Sequence, residues 1–321
     1  MSGIATTEEL LERGWAALPA SYRIPAVTPT LEQARAYCKH LAESHYENFH
    51  VASWFLPKRL RPHFHALYAY CRISDDLGDE VADPHQALAL LNQWGRELDD
   101  CYDGKVRHPV FVALSETIRA CQIPKQPFAD LLVAFRQDQT VHRFETMDDV
   151  LAYCRYSANP VGRLVLYACG YTDQARFSLS DATCSALQLA NFWQDVAVDY
   201  TKGRIYLPAA DMRRFGVSEE TISTGRETPE FRALIQFEVE YARRLFNEGL
   251  ELIGQVDHEL ALDLDLFSRG GLEILRAIER GNYDVLSQRP AISKPTKMAL
   301  ALRAILGKFL PRMRLGAKAA A

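Results

Sequence analysis

Two stretches of the chain place oxygen ligands at helical spacing. The first reads Arg72-Ile73-Ser74-Asp75-Asp76-Leu77-Gly78-Asp79-Glu80, and the second runs from Gln188 through Asn191-Phe192-Trp193-Gln194-Asp195 to Asp199. A helix turns about 100° per residue, so Asp75 and Asp79 leave one face with Asp76 beside them. Asn191, Asp195 and Asp199 follow at i, i+4 and i+8, a row about 12 Å long on a continuous helix. Carboxylates crowded in this way repel one another. They are tolerable in water or where a hard cation neutralises them. Mg²⁺ takes oxygen ligands and keeps waters or substrate phosphates in its shell. Two such rows facing each other would hold Mg²⁺ against a diphosphate. The chemistry would then be ionisation of an allylic or cyclopropyl diphosphate in an α-helical cavity.

Each row also has a plainer reading. Asp75, Asp76 and Asp79 alone fit a solvated helix end. The spacing argues against an EF-hand, because neither its glycine nor its terminal glutamate falls in place. The second row is harder to dismiss as surface decoration. It sits among Leu189, Phe192, Trp193, Val196 and Val198, where acids are rarely left without a purpose. Arg72 has two roles open to it. It pairs with Asp76 at i, i+4, or its permanent charge binds diphosphate oxygens beside the metals. Arg204 and Tyr206, in Arg204-Ile205-Tyr206-Leu207-Pro208, stand ready to close the same end of the cavity.

The elements that must position these groups read as helices. Apolar stripes recur at Leu31/Ala34/Cys38/Leu41, Phe64/Leu67/Tyr68/Cys71, Leu88/Leu91/Trp94/Leu98 and Phe128/Leu131/Leu132/Phe135. A longer stripe from Leu151 to Val165 is interrupted at Asn159-Pro160, and further stripes run from Leu234 to Ile253 and from Leu272 to Ile278. Breakers fall between them at Pro57, Pro62, Asp83-Pro84, Asp103-Gly104, Pro124, Gly170 and Gly203. No stretch alternates with period two. The expectation is an all-α, single-domain helical bundle with a central cavity. It comprises an N-terminal extension over 1–25, a helical domain over 26–290 and a basic amphipathic segment over 291–321.

Bulk composition narrows the partners. The 321 residues carry 37 Lys and Arg against 41 Asp and Glu, a net charge of -4, which argues against nucleic acid. Seven cysteines without a CxxC spacing read as free thiols in a reducing cytoplasm. Residues 1–9 lack the basic and apolar regions of a signal peptide, and no apolar run approaches the roughly 20 residues that cross a bilayer. After Asp284 there is no acid, while Arg289, Lys294, Lys297, Arg303, Lys308, Arg312, Arg314 and Lys318 follow. Met298, Leu302, Ile305, Leu306 and Phe309 share a helical face there. That face either lies on an anionic membrane surface or packs on the bundle. The expected location is cytoplasmic, with peripheral contact at the inner face of the membrane as the first of those alternatives.

Taken together, these residues resemble the squalene/phytoene synthase family, the head-to-head prenyl synthases. The likeness extends from about His45 to Tyr283. It is carried by Tyr68 through Asp79, by Asn191 through Asp199, by Arg204 through Pro208, and by Tyr153-Cys154-Arg155-Tyr156-Ser157-Ala158-Asn159-Pro160-Val161-Gly162. It implies an isoprenoid-synthase fold with three Mg²⁺ ions at the cavity mouth. Asp75, Asp76, Asp79, Asn191, Asp195 and Asp199 would be their ligands. It also places His45, Asn48 and Arg72 in the diphosphate-contacting region, and Tyr153 near the cationic centre. Phe49 and Trp193 are further aromatic candidates for shielding a cation.

Two departures point within the family. Gln194 stands where condensing members usually carry Arg, and Ser157-Ala158-Asn159-Pro160-Val161-Gly162 replaces their Val-Ala-Gly-x-Val-Gly. Both are similar to the bacterial hydroxysqualene synthase branch. That branch takes presqualene diphosphate from a sister synthase, captures water, and passes hydroxysqualene to a reductase for squalene and hopanoid synthesis. Polar side chains at Ser157 and Asn159 would anchor the water, or Asn159 simply caps the helix at Pro160. No NADPH is expected. Asp138, Tyr153 and the diphosphate remain alternatives for the general base. Two other functions stay open: a synthase condensing two prenyl diphosphates, and a non-catalytic assembly factor of the same fold.

Overall fold

Helix caps and prolines delimit the elements of the structure, a computed structural model that describes residues 5–44, 57–293, 296 and 299–300. The described residues contain helices and no strand. In chain order they are α1 (Thr7–Ala16), α2 (Leu31–Ser44), α3 (Arg61–Asp79), α4 (Pro84–Tyr102), α5 (Pro109–Cys121), α6 (Gln126–Gln137) and α7 (Met147–Ser157). Then follow α8 (Asn159–Ala168), α9 (Gln174–Gln194), α10 (Val196–Thr201), α11 (Ala209–Arg214), α12 (Glu219–Ser223), α13 (Pro229–Gly249) and α14 (His258–Arg280). The starts are written in the sequence. Asp83, Thr146, Asp173, Thr228 and Asp257 accept hydrogen bonds from the free amides of α4, α7, α9, α13 and α14.

The chain contacts group into two compact units. One comprises Met1–Val141 with Arg163–Thr172, the other His142–Gly162 with Asp173–Ala321. One passage between units falls inside α8, between Gly162 and Arg163. The other two passages fall in connections between helices, after Val141 and after Thr172.

In the first unit α3 packs against α2, α4, α5 and α6. Its buried side carries Tyr70, whose hydroxyl donates to the Phe128 carbonyl at 2.9 Å. Ser74 donates back to the Tyr70 carbonyl at 2.7 Å and accepts from Trp94 Nε1 at 3.0 Å. This chain of bonds fixes the rotation of α3 against α4 and α6. The segment read as an extension joins this unit. α1 lies along α4, Trp15 and Tyr22 belong to the core, and Trp15 Nε1 donates to Gln93 Oε1 at 2.9 Å.

In the second unit α9 and α13 run along each other, with α14 and α7 against α9. Gly249 permits the approach of α13 to α9. A Cβ there would sit 2.0 Å from Thr183 Oγ1 and 2.9 Å from the Thr183 backbone nitrogen. The interruption expected at Asn159-Pro160 is present. α7 stops at Ser157, Ala158 leaves helical geometry at φ -120°, and Pro160 occupies the first turn of α8, where its missing N–H costs nothing.

The candidate active site

In the first unit the acidic motif closes α3. Asp75 is half-buried and Asp79 exposed, one turn apart on the same helix. Asp76 differs from both, being only 4% exposed. Its Oδ2 accepts from the Tyr22 hydroxyl at 2.6 Å and from Arg72 Nε at 3.1 Å, and Arg72 Nη2 reaches Oδ1 at 2.5 Å. A buried carboxylate survives when its oxygens are met by charge and donors, and here a local guanidinium and a phenol supply both. Burial, then the bond to Asp76, raises the Tyr22 hydroxyl above its ordinary pKa, so it stays a proton donor. Of the two roles open to Arg72, the structure shows the pairing with Asp76.

The second motif is built differently. The α-helix expected to carry Asn191, Asp195 and Asp199 is not continuous. Asp195 adopts φ -110°, ψ 15°, so α9 ends at Gln194 and α10 begins at Val196. The spacing survives because the amides of Asp195 and Asp199 still donate to the carbonyls of Asn191 and Asp195, at 2.9 and 2.8 Å. The row therefore bends at its middle member without changing register. Asn191 is exposed, and Asp195 and Asp199 are half-buried. Burial, reinforced by the charge of Asp195, pushes the Asp199 carboxyl up to about 6, with Lys202, Arg204 and Arg289 acting in the opposite sense. Arg204 is brought to the row as expected. Its amide donates to the Asp199 carbonyl at 2.9 Å through a turn that Gly203 makes at φ +78°.

Asp195 is not left as a bare acid. Arg289 grips both its oxygens, Nε to Oδ1 and Nη2 to Oδ2, the latter at 2.9 Å. Gln194, buried, donates through Nε2 to the Pro290 carbonyl at 2.5 Å, and its Oε1 lies 3.5 Å from Arg289 Nη2.

Beside this row lies an aromatic group. Phe192 and Tyr206 stack with centroids 3.7 Å apart and planes 6° from parallel. Tyr153 is 6.2 Å from Phe192 and 5.9 Å from Tyr206, and Phe144 is 5.5 Å from Tyr153. Such rings offer negative faces to a cation. Trp193 is fully buried behind Phe192. Polar groups occupy the same unit. Asn159 is 5% exposed and accepts through Oδ1 from Ser185 Oγ at 2.9 Å. Ser157 Oγ is buried without a hydrogen-bond partner among the described residues. Gly162 lets α8 approach α9 here, since a Cβ would meet Ser180 Oγ at 2.3 Å and Cys184 Sγ at 2.6 Å.

The sequence reading missed Tyr22, Phe144 and Ser185, and saw Arg289 only as one charge of a basic tail. Nothing local marks them, because each partner lies far along the chain. Tyr22 is 54 residues from Asp76, and Arg289 is 94 from Asp195. His45, Asn48 and Phe49 lie outside the described residues, as do Met298, Leu302, Ile305, Leu306 and Phe309. Asp138 terminates α6 in the first unit, whereas Tyr153 belongs to the second. The cysteines are free, and burial pushes the Cys38, Cys71, Cys101 and Cys154 thiols up to about 12, which disfavours the thiolate.

The acidic rows fit Mg²⁺ in their donor chemistry. All donors are oxygens, and an arginine already stands where Asp195 calls for a cation. Among the described residues no three His, Cys, Asp or Glu side chains form a ready cage. Open rows of this kind leave coordination places for water and phosphate oxygens.

Comparison with known proteins defines the class. A sequence model of the squalene/phytoene synthase family matches residues 42–296. The crystal structure of squalene synthase HpnC from Alicyclobacillus acidocaldarius is 44% identical, covering 84% of this chain and 98% of that one with a TM-score of 0.76. A ligand-bound dehydrosqualene synthase is 28% identical over 86% of this chain and 96% of its own, TM-score 0.78. The phytoene synthase of Arthrospira platensis is 28% identical over 86% of this chain and 93% of that protein. The chain belongs to the squalene/phytoene synthase family. Its fold is the isoprenoid-synthase helical fold, and the family's members are prenyltransferase-type enzymes of isoprenoid biosynthesis. The expected family and helical class are those found. Among the described residues no helix is long and apolar enough to cross a membrane.

Proposed function

We propose that this chain converts presqualene diphosphate and water to hydroxysqualene, releasing diphosphate. The observation that carries the reading is the buried Ser157 Oγ without a partner, on the helix of Tyr153 and close in sequence to the Asn159–Ser185 pair. A hydroxyl buried alone is costly unless it holds an ordered water, and water is the second substrate of this reaction. The higher identity to a squalene synthase, HpnC, than to the dehydrosqualene synthase or the phytoene synthase supports a place in squalene rather than phytoene synthesis.

In this reading the C–O bond to diphosphate breaks with its electron pair leaving on the diphosphate. The cyclopropane opens, the water oxygen bonds to the cationic carbon, and one proton is released. Asp75, Asp79, Asn191, Asp195 and Asp199 would hold Mg²⁺, with Asp76 mainly holding Arg72 in place. Bound Mg²⁺ supplies positive charge to the departing group. Arg204 adds a permanent cation beside Asp199. Tyr153, Phe192 and Tyr206 present ring faces to the carbocation and exclude bulk water, so that the water held at Ser157 is the one captured. NADPH has no part in the reaction. A sister presqualene diphosphate synthase would supply the substrate and a reductase would consume the alcohol. Contact of residues 291–321 with an anionic membrane surface would ease transfer of these apolar molecules. Liposome flotation of the full chain against one ending at Pro295 tests that contact, and equal partitioning counts against it.

The deciding experiment is a product assay with Mg²⁺ and no NADPH, offering presqualene diphosphate and farnesyl diphosphate separately. Hydroxysqualene from the first and nothing from the second establishes the reading. Turnover of farnesyl diphosphate makes the protein a condensing synthase, and turnover of neither favours a non-catalytic role. Ser157→Val and Asn159→Gly should raise the share of dehydrated alkene product. An unchanged alcohol-to-alkene ratio would remove the water-anchor role.

A further inference from the structure

The segment after α14 returns to the second acidic row and ends on it. Asp284 turns the chain by accepting the amides of Leu286 and Ser287, at 3.2 and 2.9 Å. Just beyond, Arg289 meets Asp195 and the Pro290 carbonyl accepts from Gln194. We infer that Arg289 is the built-in counter-cation of Asp195 in the metal-free protein, that Gln194 is its positioning residue, and that a divalent cation reaches Asp195 only by displacing the guanidinium.

Three features converge. Arg289 engages both Asp195 oxygens in the fork geometry that a planar guanidinium makes with a carboxylate. Both lone-pair sets that face Arg289 are therefore occupied, and a metal at Asp195 must compete for them. Gln194 is buried with its amide committed to Pro290, so the residue after Arg289 is tied to the residue before Asp195. This tie limits how far the guanidinium can travel when displaced. Finally, the Arg289 side chain is 57% exposed and that of Asp195 22%, so the ion pair is open to water and the exchange need not unfold the segment. An exposed pair is held weakly enough to yield to a divalent ion.

The inference rests on the reading of Asn191, Asp195 and Asp199 as metal ligands, and not on which diphosphate is turned over. Its test is Mn²⁺ titration of the full chain without substrate, read by the electron paramagnetic resonance of free Mn²⁺. Arg289→Gln should tighten Mn²⁺ binding roughly threefold to tenfold, the range expected for losing an exposed competing ion pair. Gln194→Leu keeps the charge and frees the tether, and should tighten binding by a smaller factor. Arg289→Lys, which keeps the charge but not the fork, should fall between wild type and Arg289→Gln. Asp195→Asn is the control and should weaken binding. Unchanged or weaker Mn²⁺ binding in Arg289→Gln, with Asp195→Asn weakened, overturns the counter-cation role and leaves the metal site standing. Indifference to Asp195→Asn overturns the metal reading itself, and the inference with it. Circular dichroism of each variant identifies any that fails to fold, for which Arg289→Lys provides the second comparison.

Discussion

The two acidic motifs use the same residue type to opposite structural effect. In the first, the most buried acid is neutralised from within its own helix by Arg72, four residues earlier, and Tyr22 adds a hydrogen bond from outside that helix. The carrier α3 is unbroken. In the second, the helix breaks at Asp195 and the neutralising cation comes from 94 residues away. Asp76 is nearly sealed, whereas Asp195 and its arginine remain open to water. A sealed ion pair is a structural element, since removing one partner strands a buried charge. An open one is exchangeable. The difference teaches that spacing alone does not say which acid of a motif is free to bind a ligand.

Four outcomes would break or sharpen this contrast. The largest effect is on turnover. Asp79→Asn in the first motif and Asp195→Asn in the second should each lower kcat by roughly 10²–10³-fold, as expected when a group stabilising leaving-group charge is lost. A steady-state assay of diphosphate release measures this, and a variant that retains wild-type turnover removes its acid from the machinery. Next is stability in the first unit. Arg72→Met leaves Asp76 buried without its guanidinium and should cost about 3–5 kcal/mol in chemical denaturation. A cost below about 1 kcal/mol would mean that Asp76 is no more sealed than Asp195.

The third concerns a buried acid of the second unit that has no cation against it among the described residues. Glu238 is fully buried, and burial, followed by the neighbouring charge of Asp211, pushes its carboxyl up to about 8. A native carboxyl above its unfolded value binds its proton more tightly when folded. Its favourable contribution is thus complete below about pH 4.3 and is lost as pH rises toward the folded value. Stability should fall by up to about 4 kcal/mol between about pH 5 and pH 8 from this group, and Glu238→Gln should flatten that slope. Parallel wild-type and variant profiles would show that Glu238 does not titrate in that window. The smallest effect belongs to the open pair. Arg289→Gln should change metal-free stability by less than about 1 kcal/mol. A cost comparable to that of Arg72→Met would make Arg289 structural and erase the contrast.

Much of this was legible in the residues themselves. The helical class followed from periodicity. The break near Asn159 was announced by Pro160, and the pairing of Arg72 with Asp76 was one of two readings that i, i+4 spacing allowed. The acidic motifs and the Arg204–Pro208 run pointed to the family before any coordinates. The expectation of one continuous helix through Asn191, Asp195 and Asp199 failed at Asp195. Nothing in that residue type signals a dihedral change that leaves the hydrogen-bond register intact.

By itself, then, the sequence determined what the pitch of a helix can enforce: which acids share a face, where caps and prolines stop each element, and which family the motifs belong to. Tertiary structure alone decided that Tyr22 seals Asp76, that Ser185 meets Asn159 while the buried Ser157 hydroxyl finds no partner among the described residues, and that Arg289 rather than a neighbour covers Asp195. Contacts one helical turn apart follow from local geometry. Partners tens of residues apart meet only when the packing of whole helices brings them together.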